Sequence, residues 1–576
     1  MNKNNKMTAL PVMFSVFMFT CSVSFAAWQF SWDTRTDRDG KPAGIYETTP
    51  YKIDENSTSY SITNDDGTVT YQLGTKYYVD GGYTGGSSDG SWSKPWTTIE
   101  DALDNVAEGN KTIIIRGAHD GFDGYYPEYD LSLKSGIDDT HRFMLVGYGQ
   151  ERPIINGESY PLGGDAIRAS YAVSYATVQR VKIQDCIKAG IRTGPDDSYI
   201  NVIDVWLYNN DKFDWDAFNT DGDGTHADGN LYFLGSDNCF IRHCLSEHTY
   251  GHAFKIGDGA DNPTVEWAVA REFGYWEGFD VPDYYGSHPS GIDFPCDNDT
   301  YVEKNIMVRY CIVHTGQFYG MQLRTYGHGN HEIKFTEIWD TTHFDDVNGA
   351  ASHAITPNQV ALFTCGDVAF HDNIVRDSGD TYARGIYCSR VDGTAKIYNN
   401  LFYNNYCSIY IRNGDTTSIE LYGNSFYDNN SYSIVDGYIS ERLTMKNNIF
   451  YQAGSGKCAN ISSTSVKSDN HYYSPAGSIG ISLGTNDTDG NPNWKALPSG
   501  TYNSSMFRLS ESKPGANLST VFTRDFAGSA RSTWDKGAFE FGDDGEPTPT
   551  SVPGEATPTP KPTQSPIPTL ANFRTQ

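Results

Sequence analysis

The chain has 576 residues, more than one ordinary compact core accommodates, which points to a repeat architecture or to several modules. Charged residues are 20% of it and aromatics 14%, with 39 tyrosines and 57 glycines, a β-rich and turn-rich balance. With 43 Lys+Arg against 72 Asp+Glu the formal charge is −29, which excludes a broad electrostatic grip on nucleic acid or an anionic membrane; an anionic ligand needs a local cationic site or a bound metal.

In chain order, residues 1–26 read as an export signal: Lys3 and Lys6, an apolar run through Phe14, Val16, Phe17, Met18 and Phe19, and a small-residue stop at Ser24-Phe25-Ala26. The run is shorter than the roughly 20 residues a membrane span requires, and no later segment is long and apolar enough to cross. Cleavage after Ala26 removes two lysines and one of the ten cysteines, leaving an acidic, secreted chain of charge −31 with nine cysteines. That odd count leaves at least one thiol free or paired between chains. Residues 27–75 form an N-terminal segment, and 76–541 hold the main domain.

The main domain repeats itself. Asn399-Asn400-Leu401-Phe402-Tyr403, Gly423-Asn424-Ser425-Phe426-Tyr427 and Asn447-Asn448-Ile449-Phe450-Tyr451 follow one another at 24-residue spacing. Degenerate copies lie at Asp372-Asn373-Ile374-Val375, Arg309-Tyr310-Cys311-Ile312-Val313, Arg242-His243-Cys244-Leu245 and Gln184-Asp185-Cys186-Ile187. A period of this length, built of short alternating apolar strands and Asn/Gly turns, predicts a β-solenoid of about ten or eleven coils between Ala176 and Tyr451, in which no coil buries its inner face without neighbours. Turn asparagines are expected to stack along the axis. Cys186, Cys244 and Cys311 are expected to form a buried thiol ladder at one place in the repeat. Beyond 541, residues 542–576 carry a Pro/Thr-rich tract that reads as an extended linker or tail.

Three stretches near the start of the main domain, Tyr77-Tyr78-Val79-Asp80, Gly90-Ser91-Trp92-Ser93-Lys94-Pro95-Trp96 and Thr112-Ile113-Ile114-Ile115-Arg116-Gly117, resemble the opening segment of secreted right-handed parallel β-helix proteins that act on polysaccharides. Asn491-Pro492-Asn493-Trp494, Phe507-Arg508-Leu509 and Lys536-Gly537-Ala538-Phe539-Glu540-Phe541 resemble the segment that closes them. The resemblance implies an all-β fold, a right-handed parallel β-helix, with a short helix at about Thr98 to Val106 capping its N-terminal end.

The densest polar constellation runs from Asp214 to Lys255 and includes Asp216, Glu247 and His248. Asn219-Thr220-Asp221-Gly222-Asp223-Gly224 reproduces the first half of a calcium loop, with oxygen ligands two residues apart; its twelfth position is Asn230, where such a loop supplies Glu. Gly251-His252-Ala253-Phe254-Lys255-Ile256-Gly257 and Ala227-Asp228-Gly229 resemble two elements of polysaccharide lyase family nine, pectate lyases that use a lysine base and calcium. That resemblance implies Lys255 as base, calcium on Asn219, Asp221, Asp223 and Asp228, and His252 or His248 assisting binding or protonating the leaving oxygen. Gly320-Met321-Gln322-Leu323-Arg324 with Gly327-His328-Gly329-Asn330 resembles the Leu-Arg-His-Gly element of lyase family six, which implies contact between Arg324 and a uronate. His226, His328 and Trp276 are further candidates for sugar binding, as are Trp206, Trp215 and Trp267, since indole faces stack on pyranose rings.

The expected activity is therefore β-elimination of an acidic polysaccharide such as pectate by a calcium-assisted, monomeric lyase whose partner is that polysaccharide and not nucleic acid. Two alternatives stand beside it. Asn219-Thr220-Asp221 and Gly327-His328-Gly329 also resemble tripeptides of the polygalacturonase family, which would use paired carboxylates on adjacent coils for inverting hydrolysis. A non-catalytic glycan-binding or adhesive surface protein would use the aromatic side chains alone.

Overall fold

A computed structural model describes residues 43–45, 52–64, 67–158, 164–169, 172–210, 229–257, 259–274, 289–296, 303–316, 318–327, 329–341, 358–378, 383–412, 418–436, 443–498 and 505–542. The expected signal at 1–26 and the tail from 543 lie outside these residues. Short strands recur in threes and wind as a right-handed parallel β-helix. Sheet I holds 14 parallel strands from Thr75–Val79 to Val466–Ser468, sheet II another 14 from Tyr125–Tyr126 to Thr488–Asp489, and sheet III 12 from Leu131–Ser132 to Lys457–Asn460. One coil runs Ala176–Gln179 in sheet I, Lys182–Gln184 in sheet II and Ile191–Thr193 in sheet III, then returns to sheet I at Asn201–Ile203. Ten sheet I strands fall between Ala176 and Lys446, within the count that the repeat predicts.

The repeated sequence is the turn from sheet I into sheet II. Its first residue takes the left-handed conformation, with φ of 57° at Asn399 and 59° at Asn447, and glycine stands there at 423. Its second is a buried asparagine whose Oδ1 accepts the backbone N–H of the equivalent residue one coil earlier: Asn400 N to Asn424 Oδ1 is 3.0 Å and Asn424 N to Asn448 Oδ1 is 3.0 Å. The following aromatic points inward, so Phe402, Phe426, Phe450 and Tyr472 stack along the axis with ring centroids 4.8, 4.7 and 5.1 Å apart. Earlier coils replace the asparagine with Cys244 and Cys311, which donate weakly to backbone carbonyls. Cys186 departs from the predicted ladder: it occupies the turn from sheet II into sheet III, where its N–H bonds to Asn210 Oδ1 at 3.0 Å. All nine cysteines from Cys186 to Cys458 are buried free thiols. Burial pushes Cys244 and Cys311 up to about 12, which keeps them as inert thiols at neutral pH.

The expected helix forms at Ile99–Asn105. Thr98 Oγ1 caps it by accepting Asp101 N–H at 3.1 Å, and the Glu128 carboxylate accepts the N–H groups of Ile99 and Glu100. Ile99, Ala102 and Leu103 join the solenoid core at its first coil. A hairpin of Ser59–Asn64 and Gly67–Gln72 packs Tyr60, Ile62 and Tyr71 on the outer side of sheet I against Ile114, Met144 and Ile203. Cover on both faces explains why Phe143–Gly147 is apolar at consecutive positions. Near the other end, Trp494, Phe507, Leu509 and Phe539 pack outside sheet II against Leu401, Tyr403 and Ile449.

Candidate functional site on sheet III

Most strands of sheet III start from a small or polar residue at the corner, followed by an apolar residue, a variable residue and a second apolar residue: Ala253-Phe254-Lys255-Ile256, Gly291-Ile292-Asp293-Phe294, Gly320-Met321-Gln322-Leu323 and Gly385-Ile386-Tyr387-Cys388. The apolar pair lies in the core. A Cβ at Gly291 would run into Val313 and come within 2.7 Å of the Gly320 carbonyl, so the corner admits no larger side chain there. The variable residue, between two inward neighbours, faces outward. Strand register then stacks Arg168, Arg192, Tyr232, Lys255, Asp293 and Gln322 in one column, about 4.8 Å per step.

Lys255 is half-buried in this column, with Nζ 4.5 Å from the centroid of the Tyr232 ring; the Arg192 guanidinium carbon lies 5.4 Å from the same ring. Among the described residues no carboxylate lies within ion-pair distance of the Lys255 amine. One coil on, Asp293 is buried and held from two sides: Oδ1 accepts Gln322 Nε2 at 3.0 Å, and Oδ2 lies 3.3 Å from His252 Nδ1. His252 is itself 3% exposed, just before the Lys255 strand. Arg324 ends the strand Tyr319–Arg324, two coils from Lys255 on the same sheet. Three of the expected residues, Lys255, His252 and Arg324, thus share one wall.

His248 stands elsewhere. It belongs to the sheet II strand Leu245–Thr249, at φ 52°, with Nε2 2.6 Å from Glu272 Oε2 and its ring 5.1 Å from Tyr208. The hydrogen bond to Glu272 raises the imidazole pKa and lowers that of the carboxyl. Glu247 and Trp206 lie on sheet II as well, where Trp206 Nε1 donates to Glu247 Oε1 at 2.9 Å, and Trp267 is stacked between His243 and Tyr310. Asp214, Trp215, Asp216, Asn219, Asp221, Asp223, His226, Asp228, Trp276 and His328 lie outside the described residues. Among the described residues no group of three or more His, Cys, Asp or Glu side chains could hold a metal ion. The described wall carries the cations Arg168, Arg192, Lys255 and Arg324, and the expected calcium ligands Asn219, Asp221, Asp223 and Asp228 lie outside the described residues.

Asp293, Gln322, Tyr232 and Arg192 escaped the motif reading. Their signal was the corner-apolar-variable-apolar pattern, which aligns Lys255 with Asp293 and Gln322 once coils of unequal length are superposed.

The sequence matches no protein-family profile and no curated protein at significance. Solved structures of similar shape include pectate lyase Pel9A, at 13% identity and TM-score 0.41 over 82% of this chain and 97% of that one. The A-module of mannuronan C-5 epimerase AlgE6 from Azotobacter vinelandii aligns at 12% identity and TM-score 0.39, over 68% of this chain and 93% of that one. PfbA, a surface adhesin of Streptococcus pneumoniae, aligns at 10% and 0.38, over 66% and 85%. Lyase, epimerase and adhesin share this architecture, so the likeness concerns the fold and leaves the activity to the site. Among the described residues no helix is long and apolar enough to cross a membrane.

Proposed function

We propose that the chain is a secreted polysaccharide lyase that cleaves a uronate-containing polymer by β-elimination on the outer face of sheet III. The observation that carries this reading is Lys255: an outward, half-buried amine, stacked on Tyr232 and unpaired with any described carboxylate, beside Asp293 and on one wall with Arg324. A lysine serves as base in its neutral form. Lys255 Nζ takes the C5 proton of the uronate, the freed electron pair forms the C4=C5 bond, and the C4–O bond breaks with the glycosidic oxygen leaving and taking up a proton. Arg324 contacts a uronate carboxylate as a fixed cation. His252 and Asp293, both buried, act as positioning residues beside Lys255 rather than by touching sugar. Calcium, when bound at Asn219, Asp221, Asp223 and Asp228, would neutralise the reacting carboxylate and so acidify C5–H.

The hydrolase alternative needs two carboxylates on adjacent coils. In the column of Lys255 the neighbours of Asp293 are an amine and an amide, which favours elimination over inverting hydrolysis. The test is Lys255→Ala assayed on pectate, alginate and ulvan, with and without chelator. The parent should release an ultraviolet-absorbing unsaturated uronate, with chelator suppressing it, and the variant should release none while melting normally. Its only described contact is the cation–π pair, worth about 0.5–1 kcal/mol. Reducing ends without the chromophore would mark a hydrolase, and unchanged product from the variant removes Lys255 from the chemistry.

A further inference from the structure

Two coils beyond Gln322 the same outward column turns aromatic. Ala361, Tyr387 and Tyr410 continue it, and the Tyr387 and Tyr410 rings stack at 5.9 Å and 16°. Phe363 meets Tyr387 edge-on at 5.3 Å. Into this platform reaches Arg384, from the start of the strand Arg384–Ser389, with its guanidinium carbon 3.9 Å from the Tyr410 centroid and 4.9 Å from that of Tyr387. Arg412 Nη1 donates to the Tyr387 hydroxyl at 3.0 Å and adds a second cation nearby.

Half-buried Arg384 lacks what several fully buried arginines of this chain have. Arg180 meets Asp204, Arg309 meets Glu266 and Arg376 meets Glu337, each through a guanidinium–carboxylate contact of 2.6–2.8 Å. Arg384 is half-buried, and among the described residues it has no carboxylate partner and no hydrogen-bond acceptor for its five N–H donors. Burial draws its pKa down, and the charged neighbour is another arginine. A half-buried guanidinium held on two aromatic rings, with no carboxylate to neutralise it, is placed to take an anion from solution.

We infer that Arg384, with Tyr387, Tyr410 and Arg412, forms an anionic-sugar subsite: the guanidinium takes a carboxylate or sulfate oxygen pair, and the half-buried Tyr410 ring offers a face to the pyranose. The inference rests on the polysaccharide reading above and extends it along the wall. Four strand steps separate Lys255 from this strand, about 19 Å at the usual spacing; Asp293, Gln322 and Ala361 between them are buried, so a polymer that reaches both half-buried cations passes over these positions and does not touch them. The subsite binds and does not react.

The experiment measures binding by the full chain carrying Lys255→Ala, which holds polymer without cleaving it, to polygalacturonate and alginate (carboxylate), to ι-carrageenan (sulfate) and to neutral xylan. Arg384→Gln is then compared in the same background. At least one polyanion should bind and xylan should not. Arg384→Gln should weaken that binding about 10- to 100-fold, the range of a charge-assisted contact, with a melting temperature close to the parent's because two cation–π contacts go but no ion pair or hydrogen bond does. Carboxylate against sulfate preference identifies the source of the anion. Unchanged affinity, no polyanion bound, or a melting temperature well below the parent's overturns the subsite. Failure of the lyase reading shows separately, as absence of unsaturated product from the Lys255 parent, and leaves Arg384-dependent binding standing. Product formation with Arg384→Gln kinetics unchanged at every substrate concentration removes the subsite and keeps the lyase.

Discussion

Replacing Asn424 by alanine tests the turn ladder that holds the coils in register. Asn424 Oδ1 accepts both the backbone N–H and the Nδ2 of Asn400, each at 3.0 Å, and its own Nδ2 donates to the Ile397 carbonyl at 2.8 Å and to Asn448 Oδ1 at 3.0 Å. After the substitution Asn400 Nδ2 keeps the Phe370 carbonyl, and Asn448 Oδ1 keeps the Asn424 N–H. Two buried groups are orphaned, the Asn400 N–H as donor and the Ile397 carbonyl as acceptor of that bond. At about 1–3 kcal/mol each the cost is about 2–6 kcal/mol. A solenoid opens coil by coil, so the loss is local and native-state hydrogen exchange reads it: amides of Leu421 and Ile397 should exchange roughly 30-fold faster or more, since 1.4 kcal/mol is a factor of ten. Asn430→Ala, at an exposed position six residues on, should change exchange by less than about 0.5 kcal/mol. Equal exchange in Asn424→Ala and the parent would show that stacking of Phe402, Phe426 and Phe450 alone sets the register.

Two further outcomes follow from the site and its surroundings. Burial, and then the nearby Arg271 charge, pull His314 down to about 3, so in the folded chain it stays neutral while the unfolded chain takes up a proton below about pH 6.5. Stability therefore falls as pH drops from 6.5 towards 3, by about 2 kcal/mol between pH 6.5 and 5 from this group alone; His314→Gln should flatten that part of a urea-midpoint profile, and an unaltered slope refutes the assignment. At the candidate site, Asp293→Asn keeps an oxygen for Gln322 but removes the charge facing His252, so turnover should fall by roughly tenfold or more while stability falls by about 1–3 kcal/mol. Parent-like turnover in that variant would take Asp293 out of the site.

Much of the scaffold was legible in the residue order. The turn motif recurs because every coil meets the same physical demand: a left-handed residue at the corner, an amide to satisfy the next coil's N–H, and an inward aromatic. The helix at Ile99–Asn105 follows from a Thr cap and three apolar contacts to the first coil. Lys255, His252 and Arg324 were singled out by resemblance to motifs of two lyase families, and the structure places all three on or beside sheet III. What the residue order hid is register, because coil length is uneven: Arg242 and Glu266 are 24 apart and stacked, while Glu266 and Arg309 are 43 apart and equally stacked. Only the folded sheets decide that His248 pairs with Glu272 on another face, that Cys186 leaves the Cys244 and Cys311 position, and that Asp293 stands next to Lys255. The physical reason lies in the parallel ladder. It fixes neighbours by backbone hydrogen bonds between coils, and loops of any length between strands leave that pairing unchanged. Chain distance therefore says little about which side chains share a wall, and the placement of the Arg384 guanidinium against the Tyr387 and Tyr410 rings was invisible until the coils were stacked.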